Sequence, residues 1–81
     1  MKFYYVYILQ TEKAPRQFYT GFTENIESRL IAHNSGQCDH TAKHKPWIIK
    51  NAFAFIDRKK ALDFERYLKS CSGREFAKKH F

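Results

Sequence analysis

Along the chain, the rhythm of apolar and polar positions changes from segment to segment. From Lys2 to Gln10 the residues are rich in aromatic and β-branched side chains, which predicts a buried strand with Tyr5 and Tyr7 on one face and Tyr4, Val6 and Ile8 on the other. Thr11 to Gln17 is polar and contains Pro15, as a hairpin loop would be, and Phe18 to Phe22 returns as a second strand with Gly21 near its end. A helix follows, capped at its start by Thr23 or Asn25 and stopped by Asn34, Ser35 and Gly36. Gln37 to Pro46 reads as a polar loop. Trp47 to Ile56 is a third strand, with Trp47, Ile49, Phe53 and Phe55 expected on one side. Asp57 then caps a helix running to about Ser70, and Ser72 with Glu75 matches a capping box that opens a short last helix through Lys79. The predicted order is β-β-α-β-α-α, an α+β fold with a three-stranded, mainly antiparallel sheet flanked by helices, in one domain over 1–81.

Two helices break their own pattern. In the first, the core-facing stripe falls on Ile26, Arg29, Leu30 and His33, so an Arg and a His stand where apolar side chains are expected. A partly buried guanidinium is costly without an anion or several acceptors beside it. In the second, Glu65 shares a face with Ala61, Leu62 and Leu68, while Asp63 and Arg66 fall toward solvent. A carboxylate among core positions loses its charge unless a cation is near, and Arg29 or a metal ion can supply one.

Composition adds a charge argument. The net charge is +7, and residues 41–81 carry the whole excess, with eleven basic residues against four acidic. Such asymmetry suits one side facing a polyanion, nucleic acid first among candidates. Lys43, Lys45, Arg58 and Lys59 lie in that half and are read as phosphate contacts. Eight Phe, five Tyr and one Trp allow a small core to bury much area. No apolar run reaches the roughly 20 residues of a membrane span, and the first ten residues lack the small-residue cleavage site of a signal peptide. A cytoplasmic protein without membrane partners is expected. Cys38 and Cys71 are far apart and outside any metal-ligand spacing, so free thiols are expected.

The residues also form an ordered set. Tyr5-Val6-Tyr7, Tyr19-Thr20-Gly21, Arg29 on the next helix and a late helical Glu65 resemble the GIY-YIG nuclease family, in particular its small members related to the excision-repair nuclease subunit. Asn25-Ile26, Leu30, His33-Asn34, Lys45-Pro46-Trp47 and the Ser72-Gly73-Arg74 tail extend the likeness over essentially the whole chain. Tyr5 replaces the first Gly of the signature, and Val6 and Thr20 replace its isoleucines.

The resemblance implies a metal-dependent endonuclease of low sequence specificity acting on DNA, on branched or damaged forms, in repair or recombination, alone, as a homodimer or with a protein partner. In that reading Glu65 holds one divalent ion, Mg²⁺ or Mn²⁺, and Arg29 meets the developing phosphorane charge. Tyr7 is expected as the base, with Tyr19 orienting and His33 either a base or an orienter; Gly21, the motif's backbone position, allows a close backbone approach or a turn. Three plainer readings stand beside it. The tyrosines and His33 are core packing, with Arg29 and Glu65 a buried ion pair; the fold binds nucleic acid without cutting; or it is a protein-interaction domain with a basic surface.

Overall fold

The computed structural model describes residues 2–13, 17–37 and 39–81, with 39 and 40 described by backbone alone. The readings made on Pro15, Arg16 and Cys38 lie outside the described residues. The elements are β1 (Tyr4–Thr11), β2 (Phe18–Thr23), α1 (Ile26–Ser35), α2 (Asp39–Ala42), β3 (Trp47–Phe55), α3 (Arg58–Lys69) and α4 (Cys71–His80). This is the order β-β-α-β-α-α, with one short turn of helix, α2, added inside what the sequence presents as loop.

β1 is central, antiparallel to both neighbours in the order β2-β1-β3. A central strand covered on both faces needs apolar residues at consecutive positions, and Val6, Tyr7, Ile8 and Leu9 are all buried. Val6 and Ile8 pack with Ala61 and Leu68 of α3 on one face. Tyr7 and Leu9 pack with Trp47 on the other, where Ile26 and Leu30 of α1 close over them. Each fully buried side chain of this size contributes about 1.5–3 kcal/mol, so β1 holds both layers together.

β3 corrects the expectation that Trp47, Ile49, Phe53 and Phe55 share a side. Ile8 pairs with Asn51 and Leu9 with Ile49, so Lys50 is an inserted residue at a bulge. One extra residue reverses the side-chain parity along the rest of the strand. Trp47 and Ile49 therefore lie on the α1 face, and Phe53 and Phe55 on the α3 face, where they meet Phe64.

The helix ends obey local chemistry. Asn25 caps α1, its side chain accepting from Ser28 N–H at 3.0 Å, and Gly36 ends it with φ 84°, a left-handed conformation natural to glycine. Asp57 caps α3 as expected. The cap of α4 is Ser70, which accepts from Gly73 N–H at 3.1 Å; the helix therefore begins at Cys71, two residues before the start that a Ser72 cap would give. Ser70 already serves as the C-cap of α3, so one residue joins the two helices. Gly73 is buried, and a Cβ there would run into the backbone of Tyr67.

Candidate active site

His33 is the centre of the α1 face. It is fully buried, and a buried imidazole needs a partner for each ring nitrogen. Nε2 lies 3.0 Å from the Tyr7 hydroxyl, and Nδ1 lies 2.8 Å from Thr41 Oγ1. Burial first, and the charge of Arg29 second, hold its pKa below the ordinary 6.5, so the ring is neutral at physiological pH. In the tautomer that donates Nδ1–H to Thr41, Nε2 accepts the proton of Tyr7.

Thr41 and its helix are fixed in turn. The Trp47 indole N–H donates to the Thr41 carbonyl at 2.8 Å. Asn34 clasps the backbone of Trp47 at both ends, donating to its carbonyl at 3.1 Å and accepting from its N–H at 2.6 Å. Sequence reasoning missed Thr41, Trp47 and this use of Asn34. A signal existed for the first: a buried His needs a second partner, and Thr41 is the single hydroxyl residue between Gln37 and Pro46.

Tyr7 and Tyr19 are diagonal neighbours on the hairpin, since Tyr7 pairs with Gly21 and Leu9 with Tyr19. Their ring centroids are 6.3 Å apart, and Tyr19 lies 4.8 Å from the His33 ring. Gly21 is required by proximity, because its φ is ordinary. A Cβ there would fall 2.5 Å from Tyr7 Cζ, in contact with the phenol oxygen, and 3.0 Å from Tyr19 Cε1. Tyr7 is only 2 % exposed, whereas Tyr19 is half-buried and reaches solvent.

Arg29 departs from expectation. It is exposed, whereas Ile26 and Leu30 of the same stripe are half-buried and His33 is buried; a long charged side chain can pack its stem and still keep its end in water. It is close enough for its charge to act on His33. Arg29 and Glu65 are therefore not a buried pair.

Glu65 belongs to the other layer. It shares with Ala61 and Leu68 the side of α3 that covers the Val6 and Ile8 face, and its carboxylate Oε2 is 3.2 Å from Lys69 Nζ. Its side chain is 20 % exposed. The sheet brings Tyr7, Tyr19 and His33 into direct contact, sets Arg29 above them, and puts Glu65 on the opposite face. β2 is an edge strand, and the two layers meet around it: Tyr19 and Thr20, which point to opposite faces, line one groove with Lys69.

Among the described residues no three His, Cys, Asp or Glu side chains gather as a metal site. A lone, partly buried carboxylate still fits Mg²⁺, which keeps several waters and takes one or two carboxylates plus substrate phosphates.

The four basic candidates divide into two places. Lys43 and Lys45 are exposed beyond α2, while Arg58 and Lys59 are exposed on the first turn of α3. The Arg58 guanidinium lies 5.7 Å from the Phe22 ring, and Lys59 is paired with Asp63 at 2.9 Å. No described helix is long and apolar enough to cross a membrane, and Cys71 is a free, exposed thiol.

Comparison with known proteins extends these observations. The UPF0213 protein of Lacticaseibacillus paracasei is 36% identical over 69 residues, covering 84% of this chain and 75% of that one. The structure-specific endonuclease subunit SLX1 of Meyerozyma guilliermondii is 40% identical over 74 residues, 83% of this chain but only 25% of that longer protein. The solution NMR structure of the UPF0213 protein from Bacillus halodurans superposes with a TM-score of 0.56 at 28% identity, over 94% of this chain and 80% of that one. Residues 3–79 match the model of the GIY-YIG catalytic domain, and on that near-complete match the chain belongs to the GIY-YIG family.

Proposed function

We propose that the protein is a divalent-metal-dependent endonuclease that hydrolyses phosphodiester bonds of DNA at the β2 edge. The observation that carries this is the buried chain Tyr7–His33–Thr41 directly beneath a solvent-reaching Tyr19. A core needs apolar filling; it does not need two phenols backed by a neutral imidazole whose second nitrogen is also held.

Differences in burial support a division of roles. Tyr7 is too buried to meet a water, so it holds the site's shape, and Tyr19 is the phenol that takes the proton from the attacking water. His33, kept neutral by burial and by Arg29, is hydrogen-bonded to the Tyr7 hydroxyl and so holds the ring against which Tyr19 packs. Arg29, exposed and close enough for its charge to act on His33, presents its guanidinium to the crowded phosphate oxygens. Glu65, across the β2 edge, would hold the divalent ion, which supplies Lewis-acid polarisation of the phosphate and of the departing oxygen. An ion held by Glu65 would share that carboxylate with Lys69 or displace its ammonium.

The relative SLX1 is described as a structure-specific endonuclease subunit, which supports a branched or otherwise irregular DNA substrate and a directing protein partner. Low sequence specificity accords with the absence, among the described residues, of a helix or ribbon beyond the catalytic fold to enter a groove. The test is nicking of supercoiled plasmid with Mg²⁺ or Mn²⁺, comparing the wild type with Arg29→Ala and Glu65→Ala. Each variant is expected to lose about 100-fold or more, since each removes charge stabilisation from the transition state. Equal nicking by all three would end the proposal.

One observation favours a second reading, a nucleic-acid-binding module that does not cut: Glu65 lies across the sheet from the tyrosines and is already paired with Lys69. That reading expects salt-dependent DNA binding unchanged by Glu65→Ala and no metal-stimulated nicking.

A further inference from the structure

Cations from the basic half of the chain line a groove of which the catalytic reading uses only Tyr19 and Lys69. On the Val6 and Ile8 face, between the sheet and the α3–α4 pair, lies an open groove of about 590 Å³. Its floor is apolar, formed by Ile8, Leu68 and Ala77. Four cations rim it: Lys50, Lys69, Arg74 and Lys78. Phe18 stands in its wall 53 % exposed, with the Lys50 ammonium 4.7 Å from its ring centroid. Lys50 is the inserted residue at the bulge of β3. The groove ends at Tyr19 and at Lys69, the partner of Glu65.

We infer that this groove binds unpaired nucleotides of a nucleic-acid strand, with a base stacked on Phe18 and the flanking phosphates on Lys50, Lys69, Arg74 and Lys78. The inference deepens the endonuclease reading by naming the form of substrate, and it rests on that reading for what happens at Tyr19. A row of cations alone would accept any polyanion. The flat, exposed aromatic ring among them selects a partner that carries π faces as well as charge, and this pairing of stacking platform with basic groove is how single strands are held without sequence preference. The volume suits a small-molecule-sized guest, a nucleotide or two. The placement next to Tyr19 and Glu65 puts the junction of paired and unpaired DNA at the catalytic edge.

The test is fluorescence anisotropy of the full chain with a short labelled oligothymidylate, and with a duplex of equal nucleotide content, in EDTA over about 50–200 mM salt. The expected result is tighter binding of the single strand. Phe18→Ala and the more conservative Phe18→Leu should each weaken single-strand binding about fivefold or more and leave duplex binding within about twofold. Lys50→Ala with Lys78→Ala should reduce the single-strand salt slope by about 0.7 for each phosphate no longer neutralised. Unchanged single-strand affinity in both Phe18 variants overturns the inference, and so does competition by polyglutamate equal, charge for charge, to that by oligothymidylate, which would mark an acidic-protein site. Because no metal is present, the two ideas fail separately. Nicking without single-strand preference removes the groove assignment alone, and single-strand binding without nicking removes the endonuclease alone.

Discussion

Replacing His33 by Ala tests whether the imidazole is the keystone of the α1 layer. The side chain is fully buried and hydrogen-bonded at both nitrogens, to Tyr7 at 3.0 Å and Thr41 at 2.8 Å. Withdrawing each bond costs about 1 kcal/mol, and the void left by the ring adds a cavity term, so the total loss is about 3–5 kcal/mol. A chain of this length has about 4–12 kcal/mol to lose, so the variant is close to unfolding. The assay is urea denaturation followed by Trp47 fluorescence. The indole is well placed to report because it bonds the carbonyl of Thr41. A pH series adds a second arm. His33 has a depressed pKa in the folded state, so above about 6.5 it is neutral in both states and contributes no pH dependence. Below 6.5 the unfolded chain takes up a proton that the folded chain refuses, and stability falls with pH, by at most about 1.4 kcal/mol per pH unit, until the folded pKa is reached. His33→Gln removes this component. A loss under about 1 kcal/mol in His33→Ala, or an acid slope identical in wild type and His33→Gln, would refute the reasoning.

Other outcomes follow from the same contacts. Gly21→Ala drives a methyl group into the Tyr7 ring and is expected to cost about 1–3 kcal/mol by the same denaturation assay, although the backbone there suits alanine. Ser70→Ala removes the cap shared by α3 and α4 and should cost about 1 kcal/mol, while Ser72→Ala, inside the first turn, should cost a few tenths; the reverse order would restore the later helix start. Arg29→Ala removes the second cause of the low His33 pKa, so the His33 ring signal in NMR should titrate at higher pH than in the wild type, and an unchanged midpoint would place burial alone in charge.

The sequence made the strand pattern and the helix caps legible because both are written locally. The unbroken apolar run at Val6 to Leu9 marks a strand buried on two faces, and Asn25, Gly36 and Asp57 each do at a helix end what their side chain or backbone permits. The bulge was hidden because a single inserted residue in Trp47–Phe55 leaves no gap in composition; it exists only relative to β1. Arg29 was misjudged because helical periodicity fixes where Cβ points and not where a long side chain ends. The Tyr7–His33 bond joins residues 26 apart and depends on α1 crossing the sheet at one angle, which no local pattern records. The groove assembles Phe18, Lys50 and Arg74 from three distant segments, so its charge was visible as a net excess and its shape was not.

The central claim is that Tyr19, supported from below by Tyr7 and His33, is the phenol that activates water. Single-turnover nicking of plasmid by wild type, Tyr19→Phe and Tyr7→Phe, with Mg²⁺ and with folding verified by Trp47 fluorescence, measures this most directly. A fall of about 100-fold or more is expected for Tyr19→Phe, the low end of general-base catalysis, and a smaller fall for Tyr7→Phe. Wild-type speed in a folded Tyr19→Phe, or a larger loss in Tyr7→Phe than in Tyr19→Phe, would contradict it.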